Sequence, residues 1–380
     1  MLVFRIARRG TQARRPNVTG NRAVGNHRVI YRPDGRIALP PVTIGSIAMP
    51  AAVPTVTTTD RVIPRAGATS WEVVVTSQDD ETDPRQSVSA QVIVGVDGSR
   101  GSDAAVRWAA GYAAGRGREL LIVHGMGLVG DSALTGPYAV WQQDVIDAAR
   151  TRGAAVVEKA EQLARRTAPD VQVATLTAGE SPATLLVYHS AGAYAVVLGS
   201  TGSTGTLGHL GSTLLAVSAH SHGAVIVVPD GYSEADRAGG SVVVGIDGSP
   251  VSEPAIAAAF AEAAERDTEL VAVHAYSDWD FGQFAGMVAP LPDAATEAET
   301  AILAERLAGW QEKYPDVPIV RQTYLSAPGQ RLREWSNTAQ LLVVGSRGRG
   351  GFRGLLFGST SNYLVQHAYC PVMVVHEAEK

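Results

Sequence analysis

The feature that most constrains this chain is an internal repeat. An apolar, β-branched run ends in Asp-Gly-Ser at Asp97 and again at Asp247. About a hundred residues after each aspartate, a second apolar run ends in Gly-x-x-Gly, at Gly199 and Gly345, and a Gly-Ser pair follows. A repeat of this length, with the same motifs in the same order, predicts two equivalent domains.

The composition fits two ordinary domains and argues against several classes of protein. The chain has 380 residues, of which 45% are hydrophobic, and this is enough for two cores. A net charge of -5 argues against a dedicated nucleic-acid-binding protein, because phosphate backbones favour a basic face. The single cysteine, Cys370, leaves no internal disulfide and fits a reducing compartment. Its place between a tyrosine and a proline, before an apolar run, predicts an inert core side chain rather than a redox group.

No apolar run is both long enough and free enough of proline to predict a membrane span. The apolar stretch within residues 1–9 is too short for a secretory core. We therefore expect a soluble cytoplasmic protein without a membrane partner.

Residues 1–89 differ in kind from the rest of the chain. They are rich in arginine and proline and close with the acidic cluster at 79–83, a composition that predicts a low-order, disordered extension. An electrostatic tether and an upstream extension of the true start are the alternatives. The run from Trp71 to Val75 is apolar enough for one short strand.

Both repeats alternate apolar runs with helical patterns. The alternation predicts an α/β fold with right-handed crossovers and a parallel sheet covered on both faces, in two doubly wound sandwiches. Domain 1 is expected at 90–230, a linker at 231–240 and domain 2 at 241–380. Ser102 is expected to cap the first helix. The expected strands are Gln91–Val96, Leu120–Val123, Val171–Leu176, Ala195–Leu198, Val225–Val228, Val242–Ile246, Leu270–Val273, Ile319–Tyr324, Leu341–Val344 and Val372–Val375.

The aspartates and the glycine turns are expected to line one crevice in each domain. Ligands of open parallel sheets lie at the carboxyl ends of strands where the strand order reverses. Glycines let a ligand approach the main chain, and successive amides before a helix N-terminus attract a phosphate. Asp97 and Asp247 would then accept hydrogen bonds from a base amine or a ribose hydroxyl. The alternatives are plain tight turns at the glycines and aspartates that merely cap the next helices.

Taken together, strand-Asp-Gly-Ser and Gly-x-x-Gly-(nine residues)-Gly-Ser closely resemble the ATP-binding class of the universal stress protein family. The two copies in one chain resemble tandem proteins of actinobacteria. The resemblance covers about 90–377 and implies five parallel strands in the order 3-2-1-4-5, domain pairing through the last strand, and ATP with its Mg²⁺ as ligand. By position it assigns the base and ribose end to Asp97, Gly125, Asp247 and Ala275, and the phosphate end to Gly199, Gly202, Gly211, Ser212, Gly345, Arg347, Gly348, Gly358 and Ser359.

The first glycine turn departs from this family pattern. Eight residues separate Gly202 from Gly211, where nine separate Gly348 from Gly358. Domain 1 carries Thr201 where domain 2 carries Arg347, and the second turn adds Arg349 and Arg353. We therefore expect domain 2 to bind ATP more tightly than domain 1.

The expected function is nucleotide-dependent regulation of a stress or dormancy response. Neither a catalytic base or nucleophile nor a metal cluster accompanies the turns, and the lysine of a Walker-type loop is missing. The histidines, including His124 and His274, are expected to pack rather than to transfer protons. A slow ATP hydrolase or nucleotidyl transferase of related fold and a nucleotide-free interaction module are the alternatives. The domains are expected to pair within the chain, in a homodimer, or both.

Overall fold

The computed structural model describes residues 2–7, 30–31, 37–38, 72–77, 90–128, 142–202, 211–275, 293–348 and 357–377, the four ranges before residue 90 by their backbone alone. The chain divides into two units, Met1–Thr82 and Asp83–Lys380. The second unit contains both repeats. Within the described ranges, no helix is both long and apolar enough to cross a membrane.

The first unit contains two antiparallel strand pairs. Strand β1 (Leu2–Ala7) pairs with β4 (Glu72–Ser77), and the short strand β2 (Ile30–Tyr31) pairs with β3 (Ile37–Ala38). The strand expected near Trp71–Val75 therefore exists as β4, but the prediction of a low-order extension missed its partner. The physical reason is that β1 is itself an apolar run, so the two segments can satisfy each other's backbone groups. The rest of 1–89 lies outside the described residues.

Domain 1 alternates strands and helices as its sequence pattern predicts. Its strands are short apolar runs rich in valine, the composition of strands covered on both faces. The elements are β5 (Val92–Gly95), α1 (Arg100–Gly115), β6 (Leu120–Gly125), α2 (Gln142–Thr167), β7 (Val173–Ala178), α3 (Pro182–Ser190), β8 (Ala195–Gly199), α4 (Ser212–His220) and β9 (Ala224–Val228).

Domain 2 repeats this order. A 3₁₀ turn at Ala235–Arg237 lies in the linker between the domains. The elements are β10 (Val242–Ile246), α5 (Glu253–Glu265), β11 (Leu270–Ala275), α6 (Asp293–Lys313), β12 (Ile319–Tyr324), α7 (Pro328–Trp335), β13 (Leu341–Gly345), α8 (Ser359–His367) and β14 (Val372–Val375).

All these strands form one ten-stranded sheet in the order β12-β11-β10-β13-β14-β9-β8-β5-β6-β7. The strands of each domain are parallel and follow the order 3-2-1-4-5. The two halves meet where β14 pairs with β9 antiparallel, from Val372 opposite Val227 to Val375 opposite Ala224. The expected fold and the pairing of the domains through their last strands are thus confirmed.

Each face of the sheet carries one hydrophobic core that continues across the domain boundary. On one face α1 and α2 pack beside α5 and α6, with Trp108 and Phe260 in the same cluster of buried residues. On the other face lie α3, α4, α7 and α8, with Leu186 and Leu332 buried in the second cluster.

Cys370 belongs to that second cluster, and burial raises the pKa of its thiol to about 12, so the thiol form is strongly favoured at neutral pH.

The beginning of α1 corrects one expectation. The side chain that caps this helix is Ser99, whose Oγ accepts a hydrogen bond from the backbone N–H of Ser102 at 3.1 Å. Ser102 lies inside the first turn, where its Oγ donates to the Ser99 carbonyl oxygen at 3.0 Å. The prediction of Ser102 as the cap was wrong because the helix begins at Arg100, directly after the Asp-Gly-Ser turn, and a cap must precede the first helical residue.

A buried carboxylate joins α5 to α1. Glu262 is 3% exposed and accepts hydrogen bonds from Tyr112 Oη at 2.5 Å, Arg116 Nη2 at 2.8 Å and Arg266 Nε at 3.2 Å. The Arg116 guanidinium also lies 3.8 Å above the centre of the Tyr112 ring. Burial, and then the Glu262 carboxylate, raise the pKa of Tyr112 well above its usual value. The boundary between the domains therefore contains a paired charge, which is costly to break.

Replacing Glu262 tests this contact. Glu262→Ala leaves two largely buried arginines without their carboxylate, so we expect it to lower the free energy of unfolding by about 3–5 kcal/mol. The matched control is Glu161→Ala, because Glu161 pairs with Arg165 on the exposed side of α2 and its loss should cost no more than about 1 kcal/mol. Urea unfolding of the two variants and the parent measures both values. Similar costs for the two variants would contradict a structural role for the buried cluster.

Candidate functional site

Each domain has a crevice at the carboxyl ends of its first and fourth strands. In domain 1, β5 lies between β6 and β8, so Asp97 after β5 and Gly199 at the end of β8 occupy the same edge of the sheet. In domain 2, β10 lies between β11 and β13, and Asp247 and Gly345 are placed equivalently. The strand order reverses at this point, which is where open parallel sheets bind ligands.

Each aspartate is held by the turn that follows it. Oδ1 of Asp97 accepts from the backbone N–H of Ser99, and Oδ1 of Asp247 accepts from that of Ser249, both at 2.9 Å. The intervening glycine has a φ of +81° in domain 1 and +80° in domain 2, a conformation that side chains disfavour. The aspartates therefore close their own Asp-Gly-Ser turns, and in domain 1 the helix cap itself is Ser99.

The second carboxylate oxygen of each aspartate faces the glycine turn. A Cβ placed on Gly202 would lie 3.2 Å from Oδ2 of Asp97, and one on Gly348 would lie 3.1 Å from Oδ2 of Asp247. The structure thus brings the aspartate and the Gly-x-x-Gly turn together in both domains, as the sequence predicts. A side chain at either glycine would press on the carboxylate.

In domain 2 the glycine turn is tied to the start of α8. Gly358 is the N-cap of that helix, and its backbone N–H donates to the Ser346 carbonyl oxygen at 2.8 Å. Ser361 Oγ donates to the carbonyl oxygen of Gly345 at 2.6 Å. These bonds bring the helix N-terminus, including Ser359, against the turn, and a helix N-terminus attracts anions. Arg347 is exposed beside it, whereas Arg349 and Arg353 lie outside the described residues.

Domain 1 has the same arrangement of turn and helix, but its turn carries an uncharged threonine where that of domain 2 carries an arginine. Gly211 is the N-cap of α4 and Ser212 its first residue. Thr201, which replaces arginine, donates its hydroxyl to Asp230 Oδ2 at 2.6 Å. Sequence reasoning missed Asp230, although its position two residues after the last strand of the domain was a usable signal. This exposed carboxylate lies beside the turn of domain 1, and domain 2 has the exposed Glu377 at the same distance after its own last strand.

The crevice of domain 1 is a cleft of about 220 Å³. Its lining combines apolar side chains from three strands and α3 with polar groups of the turn and α1, as is usual for small-molecule sites. Among the lining residues are Val96, Asp97, Ser102, Val123, Gly125, Leu186, Leu198, Gly199, Thr201, Gly202, Gly211 and Ser212.

The opposite end of each crevice lies at the end of the second strand. Gly125 ends β6, and a Cβ there would lie 2.6 Å from the backbone nitrogen of Pro182 and 2.9 Å from the Glu180 carbonyl oxygen. Its counterpart in domain 2, Ala275, carries a buried methyl group. The loop before α3 therefore approaches β6 more closely than an alanine at Gly125 would allow.

Both preceding histidines bond to the first strand of their domain. Nδ1 of His124 lies 2.8 Å from the Val96 carbonyl oxygen, and Nδ1 of His274 lies 2.7 Å from that of Ile246. His274 Nε2 also contacts Glu299 Oε2 at 3.1 Å. Over the described ranges, no group of three or more His, Cys, Asp or Glu side chains is placed to hold a metal ion.

A methyl group at Gly125 tests the close approach in domain 1. Gly125→Ala should lower the free energy of unfolding by about 1–3 kcal/mol, because the added atom overlaps backbone that cannot rotate away. The matched change Ala275→Gly in domain 2 creates no overlap and should cost no more than about 1 kcal/mol. Chemical unfolding of both variants compares the two. A smaller cost for Gly125→Ala than for Ala275→Gly would contradict the described geometry.

Comparison with known proteins agrees with this architecture. The profile of the universal stress protein family matches residues 90–229 and again 240–376. A universal stress protein of Mycobacterium tuberculosis strain H37Rv is 40% identical over 307 residues, covering 76% of this chain and 97% of the relative. One from Mycolicibacterium smegmatis is 40% identical over 292 residues, covering 75% and 96%.

Among solved structures, a universal stress protein from Archaeoglobus fulgidus aligns with 76% of this chain and 98% of its own, with a TM-score of 0.55 and 18% identity. That likeness concerns the fold alone. The two profile matches cover both repeats, with their aspartates and glycine turns. The chain is therefore a tandem member of the universal stress protein family.

Proposed function

We propose that the protein binds ATP in its two crevices and acts as a nucleotide-dependent regulator of a stress or dormancy response in the cytoplasm. The observation that carries the proposal is the position of Oδ2 of Asp97 and Asp247, each next to a glycine turn. A hydrogen-bond acceptor beside a turn of main-chain amides suits the ribose of a nucleotide, whose phosphates would continue along that turn to the next helix N-terminus.

The chemistry of the two ends supports this assignment. The phosphates would lie on the amides of the glycine turn and of the first turn of α4 or α8, with their Mg²⁺ carried by ATP. Amide bonds to charged oxygens contribute about 1.5–3 kcal/mol each, so three or four suffice for micromolar binding after the cost of association. At the other end the aspartate would accept ribose hydroxyl or base amine protons, with the main chain at Gly125 or Ala275 beside the base.

A regulatory role fits this site better than an enzymatic one. Catalysis of phosphoryl transfer requires groups that stabilise the developing charge and orient the nucleophile. The groups that the described part of each crevice offers are main-chain amides, small hydroxyls and the one aspartate, with the exposed Arg347 beside the turn of domain 2. Binding of ATP would instead stabilise one arrangement of each turn, and a partner could recognise that arrangement. Because β9 and β14 already pair within the chain, a homodimer would require another surface.

Domain 2 is proposed as the tighter site. Arg347 places a positive charge beside its turn, whereas Thr201 of domain 1 binds the carboxylate of Asp230. The additional positive charge beside the turn of domain 2 should raise its affinity for the phosphates, although exposure to solvent reduces the effect.

The first test identifies the nucleotide carried by the purified protein. Denaturation of the native protein should release ATP, detected by chromatography and mass spectrometry. Release of ADP or AMP, together with measurable turnover of added ATP, would support an enzyme instead. A protein that releases no nucleotide and binds none on addition would be an interaction module with empty sites, and the proposal would then be wrong.

The second test compares the domains through their glycines. In Gly202→Ala and Gly348→Ala the added methyl group presses on the aspartate of one crevice, so each should weaken one site. We expect Gly348→Ala to remove the higher-affinity phase in a calorimetric titration with ATP, and Gly202→Ala to remove the weaker phase. Equal losses in the two variants would refute the ranking of the domains.

A further inference from the structure

We infer that α6 holds the Asp247 turn in place through Arg306 and through Glu299, which orients His274, so that the ribose end of domain 2 is pre-organised. His124 makes the same bond to its first strand as His274 does, but the described α2 of domain 1 carries no acid or arginine at the two matching positions. The role of this end in binding a nucleotide rests on the proposed function. The support itself is a property of the protein without ligand. We call these three side chains the α6 brace.

The brace bonds to the carbonyl groups on both sides of Asp247. On the far side, Arg306 Nε donates to the Gly248 carbonyl oxygen at 3.2 Å. On the near side, His274 Nδ1 donates to the Ile246 carbonyl oxygen at 2.7 Å. Two anchored carbonyls restrict the dihedral angles that place the carboxylate. The backbone at Asp247 is thereby held from α6 and from β11.

Glu299 fixes the ring that makes the nearer of these bonds. His274 is 1% exposed, and its Nε2 lies 3.1 Å from Oε2 of Glu299, a side chain that is 26% exposed. With Nδ1 donating to a carbonyl and Nε2 within hydrogen-bond distance of a carboxylate oxygen, the ring is held at both of its nitrogens. Glu299 therefore orients His274, in the way that a carboxylate commonly orients a functional histidine.

Domain 1 presents a different helix surface to its own turn. Ile302 of α6 lies against Gly248, and Val156 of α2 lies against Gly98 in the same way, which aligns the two helices. At this alignment Glu299 corresponds to Gly153, which has no side chain. A Cβ on Gly153 would lie 2.9 Å from Cδ2 of His124, so domain 1 has no room for an equivalent acid unless that ring moves.

Arg306 also has no polar counterpart at the matching position of α2 in domain 1. Counting from the same alignment, it corresponds to Ala160, which is buried in the core of domain 1. The exposure of the two aspartates follows this difference, because Asp97 is exposed whereas Asp247 is half-buried. A carboxylate that is already positioned loses less entropy when a ligand binds, so pre-organisation favours affinity at this end of domain 2.

Amide hydrogen exchange of the ligand-free protein tests the brace directly. The amides of Ser99 and Ser249 each donate to the aspartate two residues earlier at 2.9 Å, and both follow a glycine, so their intrinsic exchange rates match. We expect Ser249 to exchange at least about tenfold more slowly than Ser99. Arg306→Met and Glu299→Gln should each remove most of this difference, and Arg306→Lys should restore part of it.

Two controls separate the brace from general stability. Arg150→Met replaces an exposed arginine of α2 and should leave both serine amides unchanged. The amide of Val243, within β10, reports opening of the whole domain. Arg306→Met could accelerate amide exchange at Val243 as well as at Ser249, which would indicate a loss of stability in the whole domain. The Glu299→Gln variant, which preserves side-chain volume, then decides whether Ser249 depends on the brace. Equal exchange of Ser99 and Ser249 in the parent, or a Ser249 rate unchanged in both brace variants, would overturn the inference.

Ligand binding then separates a positioning role from a structural one. In the Gly202→Ala background, Arg306→Met should weaken adenosine binding by about tenfold and leave the affinity for tripolyphosphate unchanged, because the phosphates lie at the other end of the crevice. Equal weakening of both ligands would contradict a role confined to the ribose end. Failure of the parent protein to bind ATP or adenosine would refute the proposed function, while the exchange experiment would still decide whether the brace exists.

Discussion

The backbone pairing of β9 with β14 is the contact on which the rest of this unit depends. It is the one antiparallel pair in a ten-stranded sheet whose halves are parallel. Because each of these strands is the last of its domain, joining them covers an edge that would otherwise present unpaired amides and carbonyls. The same contact lets each hydrophobic core run from one domain into the next, with the ion cluster around Glu262 beside it.

The two sites share one backbone geometry but differ in the side chains around it. The domains have the same strand order, and both aspartates face a glycine turn, so the frame of the crevice is duplicated. The surroundings of the frame have diverged at both ends. Domain 1 has Thr201 in its turn and Gly153 beneath its histidine, whereas domain 2 has Arg347 and Glu299 at the corresponding places. Duplication therefore preserved the geometry, while helix and turn side chains set the local charge.

Predictions from the sequence were correct where a local pattern is compatible with a single type of secondary structure. Valine-rich runs between helical patterns indicated buried parallel strands, and the β10, β12 and β14 bounds agree with those expected. The Ser102 cap was wrong by three residues, because the preceding Asp-Gly-Ser turn determines where α1 begins. The partner of β4 was missed, because β1 lies far away in sequence and pairing between distant segments leaves no local signal.

The sequence by itself determined the duplicated domain, its strand order through family resemblance, and the residues that flank each crevice, because strand, turn and helix-start patterns are local. Tertiary structure decided how these residues are supported. Glu299 and Arg306 lie on an ordinary helical pattern, and only packing of α6 against the Asp247 turn brings them to the carbonyls beside that aspartate. Such contacts depend on the rotation of a helix about its axis, which the packing of the whole core determines.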